Sequence, residues 1–171
     1  MKARIWSGIR LAGLMGAVLA ASQGLAEAQT TRTASFAVTA NVVANCTISA
    51  SPLAFGTYDP VVTHAAAPLD ATSTVTITCT RGSASTVGLD LGTNAAATVR
   101  RLANGAEFLT YELYKEAART NVWGNSGVDL LNPGPAPSRA PRALTVHGRI
   151  PGGQDATTGA YADTIVATIT F

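Results

Sequence analysis

Apolar and polar residues alternate with period two in several short stretches of this chain. Phe36, Val38, Ala40 and Val42 alternate with Ala37, Thr39 and Asn41. Cys46-Thr47-Ile48 starts a second strand that Ser51-Pro52 breaks. Val75, Ile77 and Cys79 alternate with four threonines, and Arg81-Gly82 ends that stretch. Val87, Leu89 and Leu91 run up to Gly92; Leu109, Tyr111 and Leu113 alternate with Thr110, Glu112 and Tyr114. Leu144 and Val146 make a later strand before Pro151-Gly152-Gly153, and Ile165, Ala167, Ile169 and Phe171 share one face of the last. One apolar face at every second residue is the mark of half-buried antiparallel strands. No long stretch has the 3.6-residue period; the best helical candidate, Glu112–Arg119, fits a strand as well. About seven short strands with frequent turns predict an all-β sandwich. Val61–Pro68 and the proline-rich Asn132–Pro137 read as loops, because proline removes ladder donors.

The first residues follow a different rule. Lys2, Arg4 and Arg10 form a basic start without an acid, Leu11–Ala21 is apolar, and Ala26-Glu27-Ala28 places small residues where a signal peptidase reads. This three-part layout predicts a secretory signal over residues 1–28, cleaved before Gln29. A transmembrane anchor needs about 20 apolar residues, far more than this run supplies, so the mature form is expected to lack a membrane span. The signal takes three of the 12 Lys and Arg and one of the 10 Asp and Glu, leaving nine of each in the mature chain. A neutral balance without a basic patch argues against a nucleic-acid partner and removes one barrier to self-association. Charged residues are 13% of the chain, about half the usual share, and Thr, Val and Ala take their place.

Cys46 and Cys79 are the two cysteines. In an exported chain they read as one disulfide, with a pair of free buried thiols as the alternative. The chemistry of catalysis is sparse. His64 sits in an Ala/Pro loop and His147 in a strand, neither with a cysteine or carboxylate at metal-ligand spacing. No serine lies in a Gly-x-Ser-x-Gly elbow, and no glycine-rich segment is followed by Lys-Ser/Thr. Glu107, Glu112 and Glu116 read as solvated faces. Trp123 reads either as packed over the core edge or as exposed for binding, and its size favours packing. These residues predict neither an enzyme nor a cofactor or metal site.

Several segments together resemble a known family. They are Phe36-x-Val38-x-Ala40-x-Val42 with Cys46, Phe55-Gly56-Thr57-Tyr58, Val75–Thr80, Leu109–Tyr114, Arg119–Gly124, Gly148–Pro151, Gly159–Thr164 and Ile165–Phe171. In this order the chain is similar to the spore coat protein U domain family, which includes pilins of the archaic chaperone–usher pathway. The resemblance implies an immunoglobulin-like antiparallel β-sandwich that lacks its last strand and is completed by a donor strand. It implies three partners: a periplasmic pilus chaperone, an outer-membrane usher, and other copies of the chain or related pilins. Residues 29–44 would be the donor-strand extension, with Phe36, Val38, Ala40 and Val42 on the donor face, and 45–171 the pilin domain. Ile165, Ala167, Ile169 and Phe171 would edge the groove that the chaperone strand fills first. Function would be structural, at the cell surface, in adhesion or biofilm formation.

Elementary geometry is compatible with that expectation. Nine extended residues, 34–42, span roughly 30 Å, the length of a sandwich edge. Burying Phe36, Val38 and Val42 would contribute at most about 5–9 kcal/mol before ordering costs. Two other functions remain open on sequence grounds: a secreted coat or matrix protein assembled without an usher, and a self-completed soluble binding domain or enzyme.

Overall fold

A computed structural model describes residues 28–171. The expected secretory signal lies, apart from Ala28, outside the described residues. The chain divides into two units, Met1–Thr39 and Ala40–Phe171. In the first, residues 28–39 are exposed and belong to no helix or strand. The alternation at Phe36–Val42 therefore forms no strand in this chain. The physical reason is that a strand exists only through ladder bonds to a partner, and residues 28–45 pair with no strand.

The second unit holds seven strands: β1 (Cys46–Ala50), β2 (Leu69–Cys79), β3 (Thr86–Leu89), β4 (Arg100–Asn104), β5 (Glu107–Tyr114), β6 (Arg142–Ile150) and β7 (Ala167–Thr170). Five make one antiparallel sheet in the order β1-β2-β6-β5-β4, and β3 pairs with β7 in a second. The core lies between them. Val75 and Ile77 of β2, Leu109, Tyr111 and Leu113 of β5, and Val146 and Ile150 of β6 face Val87 and Leu89 of β3 around a fully buried Trp123. The Trp123 indole N–H donates to the Val87 carbonyl at 2.9 Å, so packing and not exposure is this residue's role.

Alternation explains the sheet faces. Along β6, Val146, Gly148 and Ile150 are buried while their neighbours are not, and β5 repeats the pattern with Leu109, Tyr111 and Leu113. The helical candidate near Glu112 resolves into the end of β5 and a tight turn. The Glu116 carboxylate closes that turn by accepting from Thr120 and Asn121. β4 was not predicted; it forms a hairpin with β5 across Gly105, which adopts a left-handed φ of 62°.

Cys46 and Cys79 are bonded to each other and sit opposite in the β1–β2 register. The bridge joins residues 33 apart. In the chain-entropy view, closing such a loop stabilises the fold by roughly 3.5–4 kcal/mol. It ties β1, an outermost strand, to the sheet interior.

Candidate functional site

The sandwich is open on one side. β7 is bonded to β3 alone, and it also approaches β1 without a ladder between them. Val87 and Leu89 send their backbone N–H groups outward, to Leu131 and Gly124. Ile169 and Ala167 stand opposite those two residues in the register. In an antiparallel ladder such pairs share no bond, so the backbone groups of Ala167 and Ile169 point away from β3. Among the described residues no ladder takes them up.

Beside this edge lies a groove of about 400 Å³. One wall is the end of β1 and the segment after it, Ala50–Leu53 with Phe55; the other is Asp163–Ile165 with Ala167. Its floor is the core itself: buried Val75, Val146, Leu113 and Leu89, with half-buried Leu102. Gly148 makes the first wall possible. A Cβ there would lie 2.8 Å from the Phe55 ring and 2.9 Å from Leu53, closer than packed carbons allow. With no Cβ, Phe55 lies over the sheet and meets Tyr111 edge-on at 6.1 Å.

The sequence-predicted edge residues divide. Ile165 and Ala167 line the groove. Ile169 is half-buried against the core but does not line the groove. Phe171 is 54% exposed and lies beyond the strand's last residue, Thr170. The predicted donor residues Phe36, Val38 and Val42 are more than 80% exposed, and Ala40 is exposed too.

Polar groups at the groove escaped the sequence reading. Arg100 is fully buried: its guanidinium pairs with Glu112 and donates to the carbonyls of Leu89, Asp90 and Trp123. Glu112 is thus a partner of a buried cation, not a solvated face. Asp163 accepts from the Tyr111 hydroxyl at 2.7 Å, from the Thr93 hydroxyl at 2.9 Å, and from the backbone and side-chain N–H of Asn94 at 3.1 and 3.0 Å. Burial pushes the Tyr111 phenol well above its ordinary range, and the hydrogen bond to Asp163 adds to the rise. Burial opposes the charge on Asp163, but the donors around it outweigh burial and lower its pKa. The only sequence signal for this cluster was the Tyr-x-Asp-Thr run at 161–164.

Three further carboxyls titrate low. Asp70 is held down by the Arg149 guanidinium at 2.7 Å, Asp59 by the N–H groups of Val61 and Val62, and Glu116, at about 2, by Thr120 and Asn121. Each folded value lies below the unfolded one, so the stability they contribute is present above about pH 4–5 and is lost as pH falls toward 2. The melting temperature is expected to be level from pH 7 to pH 5 and to drop between pH 4 and pH 2. Circular dichroism melts across that range check this; a melting temperature unchanged at pH 2.5 would contradict it.

Fold and groove define an all-β, immunoglobulin-like sandwich with one side unfilled. The sequence profile of the Spore Coat Protein U domain matches residues 32–168. Protein U of Myxococcus xanthus is 37% identical over 158 residues, 82% of this chain and 86% of that protein. The chain belongs to the Spore Coat Protein U domain family. Among solved structures, it is similar to a chain in the CsuC–CsuE chaperone–tip adhesion subunit pre-assembly complex from the archaic chaperone–usher Csu pili of Acinetobacter baumannii. The TM-score is 0.56 at 20% identity, over 76% of this chain and 40% of that one. The likeness is one of fold, and this chain spans well under half of that neighbour.

Proposed function

We propose that this protein is a structural subunit of a surface pilus or fimbria, and not an enzyme. The single observation that carries the proposal is the open groove beside an unpaired strand edge, with apolar core as its floor. Such an edge is an aggregation hazard unless another chain covers it. Residues 1–28 direct export to the periplasm. A chaperone there lends a strand to the edge at Ile165–Phe171. At an outer-membrane usher, the extension 29–44 of another copy, or of a related pilin, displaces it. Phe36, Val38, Ala40 and Val42 then enter the groove and complete the sandwich, a form of β-augmentation. Their exposure supports this reading, since four apolar residues on one face of an extended segment need a partner to bury them. Each copy both donates and accepts, so contacts run head to tail and build an open filament. At the surface the filament supports adhesion or biofilm formation.

Ala167 lines the groove and Ile169 does not, so Ala167 is the sharper test of chaperone capture. Ala167→Asp puts a carboxylate where an apolar strand must dock, and such burial costs several kcal/mol. Recovery of the subunit–chaperone complex is expected to fall at least about tenfold. Undiminished recovery would contradict the assignment of this edge.

The family description and the relationship to Protein U favour a second reading, a coat protein that assembles without an usher. Removing the usher separates the two: pilus subunits then stay in the periplasm, whereas a coat protein still reaches the surface.

A further inference from the structure

We infer that Asp90 and Asp163 are positioning residues that hold the Asp163–Val166 wall of the groove in place, so that the groove is formed before a strand arrives. This rests on the donor-strand reading above.

The ladder between β3 and β7 has four pairs and starts at Ala167. The wall precedes it and belongs to no strand. Side-chain carboxylates hold it instead. The Val166 N–H donates to Asp90 Oδ1 at 2.9 Å, while the Asp90 N–H donates to the Val166 carbonyl at 3.1 Å. One step earlier, the Thr93 N–H donates to the Thr164 carbonyl at 3.2 Å. At the wall's start, Asp163 turns inward on the same face as Ile165 and Ala167, and its four donors come from Tyr111 on the five-stranded sheet and from Thr93 and Asn94 after β3. The clamp therefore spans both sheets. Behind it, buried Arg100 fixes the Asp90 carbonyl with bonds of 2.9 and 2.7 Å. Gly92 completes the fit: its φ is +84°, and a Cβ there would lie 2.0 Å from Asp163 Oδ2.

An unfilled apolar groove tends to close, since collapse removes its lining from water. Here collapse would break hydrogen bonds to ionised acceptors, which are roughly twice as strong as neutral ones. It would also leave partly buried charge unsatisfied. A wall that cannot fall inward spares the incoming strand the cost of reopening it, which is how preorganisation raises affinity.

The test uses full-length chains carrying Val38→Asp, so that their own extension does not donate. The probe is a synthetic peptide of residues 33–44. Asp163→Asn, Asp90→Asn and the near-isosteric Tyr111→Phe weaken the clamp. Ile77→Val, a core change away from the groove, supplies a control for general loss of stability. The parent and the control are expected to bind the peptide alike. Clamp variants are expected to bind about tenfold more weakly or worse, with faster hydrogen exchange at the Val166 amide. If Asp163→Asn does not fold, Tyr111→Phe decides. Folded clamp variants that bind as the control does overturn the inference while leaving the donor-strand reading intact. A parent that binds no peptide overturns both.

Discussion

The Val38→Asp chain is expected to fold, to accumulate bound to its chaperone, and to make no fibre. Val38 is 84% exposed, and every buried apolar residue of the core lies between Val75 and Ile150. The substitution therefore touches nothing that holds its own sandwich together. In the proposed donor-strand joint the same residue would enter a neighbour's groove. There it loses the roughly 1.5–3 kcal/mol that burying a valine contributes, and it brings a carboxylate into an apolar site at a cost of several more. The carboxylate's cost is comparable to what Phe36 and Val42 would still contribute before ordering costs, so the joint is expected to fail. The check has two readings on one preparation: the SDS-resistant ladder is lost, and the melting temperature of the folded subunit is unchanged. A lowered melting temperature would mean that the extension completes its own sandwich.

The largest loss of stability is expected at Arg100, inside the sandwich. Arg100 is fully buried and is bonded to Glu112 and to three backbone carbonyls. Arg100→Ala removes every one of those donors and opens a void beneath Trp123. Breaking a buried pair by deleting one member costs about 3–5 kcal/mol, and the Glu112 side chain, 26% exposed, puts this pair toward the lower end. Against a total stability of roughly 5–15 kcal/mol, that brings the subunit close to unfolding. One part of the loss is the orphaned Glu112 carboxylate, so Arg100→Met with Glu112→Leu should recover that part while the three carbonyls stay unpaired. Urea unfolding of both variants checks this. A cost below 1 kcal/mol for Arg100→Ala would contradict the part assigned to the cluster.

Much of the framework was legible because period two is a local signal. β1, β2, β3, β5, β6 and β7 all grew from stretches whose inward residues are apolar, and the cysteine pair and the buried Trp123 followed from composition and size. β4 was missed because its most buried residue, Arg100, is charged and Leu102 is the one large apolar residue on that face. Arg100-Arg101-Leu102-Ala103-Asn104 shows no apolar alternation, although the Asn104-Gly105 turn was there to be read. Strand ends were misjudged where small or polar residues continue the alternation, as Ala71 and Ser73 do at the start of β2. The groove was half visible. Ile165 and Ala167 could be named from the terminal stripe, but the floor joins Val75, Leu113 and Val146 from three strands distant in sequence. The Arg100, Asp90 and Asp163 contacts were hidden because each side chain alone reads as solvated.

The central claim is that one chain's extension fills another chain's groove. Its most direct test mixes two disabled subunits. Val38→Asp keeps its groove and loses its donor strand. Ala167→Trp keeps its donor strand and fills its own groove with an indole. Neither should polymerise alone. Mixed in equal amounts and followed by sedimentation, they should form discrete heterodimers and nothing longer, since the one intact extension meets the one open groove. A mixture that stays monomeric, or either variant polymerising alone, would contradict the claim.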